Sequence, residues 1–294
     1  MGFDNQVIRS LFIAKKLGVA FDQTLTLGRQ NLYCSKKRLI DYARHYDVNQ
    51  SEMEGIFFED NYCEPVLYAL GAKHVDSMDF SDYEKASVVH DLNKPIPEAF
   101  KRKYTLVVDS GTLEHIFDFP AAIRNCMEML SVNGHFITVT TGNNYLGHGF
   151  YQFSPELLYR VFSKENGFKV EYMFLGVLSN NGNKETWYSV NDPEKVKNRI
   201  NICNNRRVSI IMIAKKLAVT NIFSHTPQQS DYQAIWNSAK SESSNLDRTG
   251  SFVKIYRKFM PSHLKKIIYF FRKSTKKDWK LGEIDPAHIS KFKF

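Results

Sequence analysis

The chain has few of the devices that hold small exported or metal-rich proteins together. Only four of its 294 residues are cysteine, at positions 34, 63, 126 and 203, and no two form a C-x-x-C pair. That spacing supplies neither a disulfide framework nor a zinc ribbon, and the thiols read as reduced. No apolar run approaches the roughly 20 residues that a membrane-spanning helix needs. The amino-terminal apolar stretch is broken by Lys15 and Lys16 and is too short for a signal peptide. A cytoplasmic location is therefore expected. Acid is scarce in one place. Between Phe252 and Lys280 ten lysines and arginines face a single acid, Asp278, and the resulting +9 equals the formal charge of the whole chain. The rest of the chain sums to zero, so by charge alone it is not a nucleic-acid-binding body. No dense grouping of acids and histidines in the sequence demands a metal, and none is expected.

What is present suits a folded domain. Hydrophobic residues make up 43% of the chain, enough over 294 residues for one full core plus an appendage. The most informative stretch runs from Tyr104 to Thr141. An apolar run ends in Asp109, a turn of small residues follows at Ser110-Gly111-Thr112, and Ile123, Met127 and Leu130 recur at helical spacing. After Asn133-Gly134 a second apolar run covers Phe136 to Val139. The pattern is strand, turn, helix, turn, strand. Ligands of open α/β sheets bind beyond the carboxyl ends of the strands, so Asp109 to His115 is expected to line a site.

Alternating elements surround this unit. Gln23–Leu27 reads as a first strand stopped by Gly28, with helices around 36–46 and 62–70, the latter closed by Gly71. Residues 73–79 and 86–91 read as the second and third strands. Ser154-Pro155-Glu156 opens another helix, with serine at the N-cap and proline at the first helical position. Two more strands, 168–177 and 208–213, are joined by a long polar connection. The near-identical octets at 13–20 and 213–220 have no similar surroundings and are not a fold repeat. The expected organisation is a domain over 1–219, a polar linker over 220–251 and a basic amphipathic tail over 252–294.

The Tyr104–Thr141 wording resembles the fourth-to-fifth-strand region of class I S-adenosylmethionine-dependent methyltransferases, where a D-x-G-x-L-E-H-like segment precedes a helix. The segments DSGTLEH, NKPIP and GHGFYQFSPELLYRVFS are also similar to bacterial methyltransferase-like proteins associated with surface-polysaccharide or secondary metabolism. The resemblance covers roughly residues 21 to 180. It implies a Rossmann-like seven-stranded sheet in the order 3-2-1-4-5-7-6, with S-adenosyl-L-methionine as cofactor. The activity implied is methyl transfer to a small-molecule or carbohydrate-like acceptor.

Carried onto this chain, the resemblance places the cofactor against Gly28, Asp79, Asp91, Leu92, Asp109, Ser110 and Gly111. Asp79 would accept the ribose hydroxyls, with Asp76 and Asp82 as competitors for that role. The family's first loop is rich in glycine, whereas here Leu27-Gly28-Arg29-Gln30 holds one glycine and the next is Gly55. Arg29 and Gln30 are candidate side-chain donors in place of the missing backbone contacts. The loop from Thr141 to Phe153 concentrates glycine, amide and aromatic residues at the end of the fifth strand. Asn143, Asn144, Tyr151, Gln152 and Glu114 are the expected substrate contacts. His148 or His115 is the expected base, since an imidazole exchanges protons near neutral pH. Two other readings stay open on sequence alone. One is a non-catalytic binding protein of the same fold, and the other is an RNA methyltransferase steered by its tail.

In that tail, Leu264, Ile267, Ile268 and Phe271 share one face of a helical pattern, with Lys265, Lys266, Arg272 and Lys273 elsewhere. Such a helix can lie peripherally on the anionic inner face of a membrane, hold a nucleic-acid backbone, or pack on the domain by its apolar face. Nucleic acid is the less favoured of these partners.

Overall fold

A computed structural model describes residues 2–58, 60–179, 185–196, 199–234, 236 and 289–292. Half of the expected linker over 220–251 lies outside the described residues, and of the expected tail over 252–294 only 289–292 are described, with Ile289–Lys291 forming an edge strand of the sheet. Among the described residues no helix is long and apolar enough to cross a membrane. The chain divides into two compact units. The first takes Met1–Val190, Arg206–Pro227 and Ser290–Phe294, and the second Asn191–Asn205 and Gln228–Ile289.

In chain order the elements are β1 (Gly2–Phe3), α1 (Asn5–Lys16), β2 (Gln23–Leu27), β3 (Asn31–Leu32), α2 (Lys36–Tyr46), α3 (Gln50–Glu54), α4 (Glu64–Ala69), β4 (His74–Asp79) and β5 (Val88–Val89). There follow β6 (Tyr104–Asp109), α5 (Phe119–Met129), β7 (Leu130–Asn143), α6 (Pro155–Val161), β8 (Phe168–Leu178), β9 (Glu185–Val190), α7 (Pro193–Val196), β10 (Val208–Lys216) and β11 (Ile289–Lys291). One sheet of nine strands has the order β11-β9-β8-β10-β7-β6-β2-β4-β5. The run β5-β4-β2-β6-β7 is parallel, whereas β10 is antiparallel to both β7 and β8.

Seven strands are expected from sequence, and the sheet has nine. The polar connection after β8 contains β9, whose Trp187 is fully buried against Phe174 at 5.4 Å between ring centroids. One indole therefore anchors a strand whose remaining residues give little hydrophobic signal. Beyond it, the backbone N–H of Phe292 donates to the Trp187 carbonyl at 2.8 Å. The expected third strand shrinks to Val88–Val89. The Asn133-Gly134 turn is absorbed into β7, with Asn133 in the left-handed region at φ 68°. A Cβ on Gly134 would lie 2.9 Å from the Ser131 carbonyl oxygen and 3.1 Å from that of Tyr104, so only glycine lets β7 start so close to β6.

Parallel strands covered on both faces must be apolar on both, and this sheet is. Leu106, Val108, Ile137 and Val139 point to one face, packed with Val7, Leu11, Leu39, Ala43, Val66 and Leu67 of α1, α2 and α4. On the other face Phe136 stacks on Phe162 at 5.1 Å. Burying each such side chain stabilises the fold by about 1.5–3 kcal/mol. Helix α1 is not among the elements expected from sequence. It starts where Asp4 Oδ1 accepts the N–H groups of Gln6 (2.8 Å) and Val7 (3.1 Å), and it ends with Lys15 and Lys16 against the helix dipole. The first unit continues past β10: Ile222 is buried, and the N–H of Phe223 donates to Asn166 Oδ1 at 2.9 Å. In the second unit Arg199 pairs with Asp231 at 2.7 Å and Tyr232 stacks on Trp236 at 6.0 Å.

Two buried polar groups tie elements together. Lys216 Nζ donates to the carbonyls of Met127 (2.7 Å) and Leu130 (2.8 Å), closing the carboxyl end of α5, and burial lowers its pKa to about 8. Asp76 in β4 accepts from Lys103 Nζ and Tyr104 OH at 2.8 Å each, and from Ser87 Oγ at 3.0 Å. Burial opposes its charge, but those three hydrogen bonds outweigh it and hold the carboxyl down to about 2. Because its folded pKa lies below the unfolded value, the stabilisation is complete above about pH 4 and is lost as pH falls toward 2. Asp76→Asn should cost on the order of 1–3 kcal/mol at pH 7 and should lose part of that difference below pH 4. Urea denaturation at the two pH values checks it, and an equal cost at both would show that the charge is not what stabilises.

Candidate functional site

The carboxyl ends of β2, β4, β6 and β7 converge on a small region organised by Asp109. This residue ends β6, is wholly buried, and shares a register position with Thr138 of β7. Its Oδ1 accepts the N–H groups of Thr112 (2.9 Å) and Leu113 (3.3 Å), and its Oδ2 accepts the Thr138 hydroxyl at 2.7 Å. Burial raises its pKa despite these bonds. With the turn so fixed, the Thr112 hydroxyl donates to the Leu27 carbonyl and the Ser110 hydroxyl to the Gly2 carbonyl, each at 2.8 Å. One acid thus locks the ends of three strands and the amino-terminal segment.

On the β2 side Gly28 adopts φ 75°. A Cβ there would sit 2.8 Å from Gln30 Nε2, 3.5 Å from Asp79 Oδ2 and 3.7 Å from Thr112 Oγ1. The buried Gln30 amide donates to the Leu27 carbonyl and fills the space above the glycine. Arg29 is committed elsewhere, to Glu64 at 2.7 Å and Asp60 at 3.4 Å, over the face of Tyr62 at 3.8 Å. Asp79 lies beside Gly28, and among the described residues only its Oδ1 is engaged, by the N–H of Ser81 at 3.4 Å. Past β5, Asp91 Oδ1 accepts the N–H and the amide of Asn93, at 3.0 and 2.8 Å, and Leu92 is buried. This loop is held by Asn125, a buried residue of α5, whose amide donates to the carbonyls of Leu92 (3.0 Å) and Lys94 (2.8 Å). Sequence reasoning misses Asn125. The signal available for it is a lone amide at the edge of the helix face that buries Ala122, Cys126 and Met129.

On the β7 side lies a cavity of about 230 Å³. Ser110, Gly111, Glu114 and His148, all among the residues expected from sequence, line it together with Tyr145 and Ser209, which are not. Tyr145 OH and Ser209 Oγ are 3.0 Å apart. The amino-terminal residues Gly2 to Val7 contribute a further wall through α1 and its cap. Their only sequence signal is the Asp4 cap before a helical pattern. Glu114 is 1% exposed, with Oε2 accepting the Thr140 hydroxyl at 2.8 Å and Oε1 3.9 Å from His148 Nε2. The His115 and His148 rings meet edge to face at 5.0 Å.

The loop after β7 is pinned to Glu114 by its backbone. The Glu114 carbonyl accepts the N–H groups of Phe150 (2.7 Å) and Tyr151 (3.2 Å). Gly149, at φ 70°, permits this approach, since a Cβ would lie 2.8 Å from that carbonyl oxygen. The polar residues expected to meet substrate brace the same loop. Gln152 Oε1 accepts the N–H of Tyr145 at 2.9 Å, Asn143 Oδ1 accepts that of Asn144 at 3.0 Å, and Asn144 Nδ2 donates to the Arg206 carbonyl at 2.6 Å. The Tyr151 hydroxyl donates to the Phe117 carbonyl at 2.6 Å.

Burial and then the Asp109 charge raise the pKa of Glu114, and burial and then His148 lower that of His115. A carboxyl whose folded pKa is raised contributes stability that is complete below its unfolded value, ~4.3. That contribution is lost as pH rises through the folded value toward neutrality. Glu114→Gln should therefore reduce the fall in melting temperature between pH 5 and pH 8, and thermal melts at both pH values measure it. An undiminished fall would place the burden on Asp109 alone.

No protein-family model matches the sequence, and no curated protein matches it. Solved structures of similar topology include the 1,6-didemethyltoxoflavin-N1-methyltransferase of Burkholderia thailandensis, with bound 1,6-didemethyltoxoflavin and S-adenosylhomocysteine. It is 10% identical over 73% of this chain and 80% of that one, with a TM-score of 0.40. The N-methyltransferase NodS of Bradyrhizobium japonicum, in complex with S-adenosylhomocysteine, is 10% identical over 72% and 86%, with a TM-score of 0.37. The branched-chain polyamine synthase of Thermus thermophilus, with N4-aminopropylspermidine and 5'-methylthioadenosine, is 12% identical over 79% and 63%, with a TM-score of 0.37. Superpositions this loose carry no functional inference.

Proposed function

We propose that the chain is a class I S-adenosylmethionine-dependent methyltransferase acting on a small-molecule or carbohydrate-like acceptor. The observation that carries this reading is the meeting of two half-sites across the Ser110-Gly111-Thr112 turn. A glycine and a carboxylate stand on one side, and a cavity with a carboxylate–imidazole pair in its wall stands on the other. Seven consecutive strands of the sheet, β5-β4-β2-β6-β7-β10-β8, follow the 3-2-1-4-5-7-6 order of that fold, which supports the same reading.

The residues present suit the donor, with one substitution. Asp79 Oδ2 is available to ribose hydroxyls, and Leu92 with the Asp91–Asn93 turn offers an apolar wall and polar edge for a base. Where the family has further glycines, the buried Gln30 amide stands over Gly28, its Nε2 donating to the Leu27 carbonyl and, at 3.4 Å, to Thr112 Oγ1. Ser110 and Gly111 border the cavity, so they separate donor from acceptor. When bound, S-adenosylmethionine supplies an electrophilic methyl group on a sulfonium sulfur.

The chain's own work is then alignment and proton removal. Tyr145, Ser209 and Thr141 hold acceptor hydroxyls or amines by hydrogen bonds. His148, or His115 beside it, takes the proton released when an oxygen or nitrogen is methylated, and the Glu114 carboxylate at 3.9 Å stabilises the imidazolium. The cavity falls below the roughly 300–1,000 Å³ of pockets for drug-sized ligands, so it suits one ring or a short polar chain.

Calorimetric titration with S-adenosylmethionine and S-adenosylhomocysteine tests the reading. Micromolar binding is expected, weakened at least tenfold by Asp79→Ala. A screen of hydroxyl and amine acceptors, nucleotide sugars first, should release S-adenosylhomocysteine, with kcat lowered in His148→Gln. Absence of binding at millimolar donor would overturn the proposal.

A further inference from the structure

We propose that Glu114, His115 and His148 form a binding site for one divalent transition-metal cation of the zinc type at the wall of the cavity. The three side chains each offer one ligand atom, and these atoms all lie within 4.8 Å of one another. Metal–ligand bonds of about 2.0–2.1 Å place neighbouring ligand atoms roughly 3–3.5 Å apart, so closing the site takes a shift of up to about 1.5 Å. His148 can supply it. Its side chain is 41% exposed, on a loop with Gly147 and Gly149 at either side, while Glu114 is held fast.

The environment of Glu114 is the second observation. Its carboxylate is buried, no lysine or arginine among the described residues pairs with it, and Thr140 satisfies only Oε2. The other oxygen faces an imidazole nitrogen at 3.9 Å, too far for a hydrogen bond. Burying a carboxylate this deeply is costly, and a bound ion would reduce that cost. Thr140 would then be the outer partner that orients a ligating carboxylate.

The loop is also built to keep these groups together. Glu114 receives the N–H groups of Phe150 and Tyr151 on its own carbonyl, and the glycine at 149 permits that contact. The N–H of His148 donates to the Tyr145 carbonyl at 2.9 Å, which fixes the backbone that carries the second imidazole.

Ligand type selects the ion. Two imidazoles and one carboxylate suit zinc and its first-row neighbours, whereas magnesium and calcium take oxygen alone and thiolate sites need cysteine. Three protein ligands leave a fourth position open, as in catalytic rather than structural sites. That position faces the cavity and would hold water or an acceptor oxygen. A ligating histidine has no free lone pair for a proton, so metal-loaded and metal-free protein would differ in the group that receives it.

The test uses the full chain stripped with a chelator, and it needs neither donor nor acceptor, so its outcome is independent of the methyl-transfer reading. Calorimetric zinc titration should give one ion per chain. Cobalt substitution should give visible d–d bands without the near-ultraviolet thiolate band that ligation by the cysteines would produce. His115→Gln and His148→Gln should each weaken zinc binding at least tenfold, and the zinc-induced rise in melting temperature should vanish in the double variant. His148 is part-exposed, so circular dichroism of its variant should match the parent and exclude unfolding as the cause. No binding, binding unchanged in both variants, or a thiolate band would overturn the proposal.

Discussion

A single buried carboxylate at the end of β6 sets the geometry on which the site depends. Among the described residues Asp109 has no cation beside it. Its charge is met by two backbone N–H groups of the following turn and one threonine hydroxyl on the neighbouring strand. Those bonds turn the chain sharply, and the turn in turn holds the Leu27 and Gly2 carbonyls through Thr112 and Ser110. They also deliver Glu114 to Thr140, two residues along β7 from Thr138 and therefore on the same face of the sheet. Two threonines at that spacing make the polar spine on which both acids rest.

The same constraint gives the region its chemical asymmetry. Toward β2 and β4 it presents a crowded glycine and a carboxylate with one oxygen unengaged among the described residues. Toward β7 and β10 it presents an imidazole, hydroxyls and an acid whose burial favours the protonated form. Neither half is made by one segment. The cavity takes Gly2 to Val7 from the start of the chain, Glu114 from the turn after β6, Tyr145 and His148 from the loop after β7, and Ser209 from β10. Backbone bonds from the Glu114 carbonyl to the loop after β7 join the two contributors that carry the histidines.

Much of the frame is legible in the sequence because its strands are apolar, short and separated by marked turns. Gln23–Leu27, Tyr104–Asp109 and the Ser154-Pro155 helix start stand where pattern and capping place them. Asp109 to His115 and the histidine of the loop after β7 are likewise visible as polar residues at the carboxyl ends of strands. Other parts leave no local trace. Asn125 and Ser209 are ordinary polar residues until the fold brings Leu92 and Tyr145 to them. Trp187 fixes β9 within a long polar connection because its indole packs on Phe174 of β8. Gln30 and Arg29, adjacent in sequence and alike as donors, part company, one over Gly28 and the other on Glu64.

One short segment separates the two levels. The pentapeptide Ile-Ala-Lys-Lys-Leu occurs twice, at 13–17 and 213–217. At 13–16 it completes α1, with the N–H of Leu17 donating to the Ile13 carbonyl at 3.0 Å, because Asp4 has already nucleated the helix and its remaining turns pack on the sheet. At 213–216 it is the end of β10, paired on both sides with β7 and β8, and its second lysine is buried to close α5. Sequence alone determined which segments were apolar enough to enter a core, where helices could start and where the chain had to turn. Which hydrogen-bond partners those five residues would take was decided by the tertiary structure, since a helix completes its ladder within itself and a strand only through its neighbours.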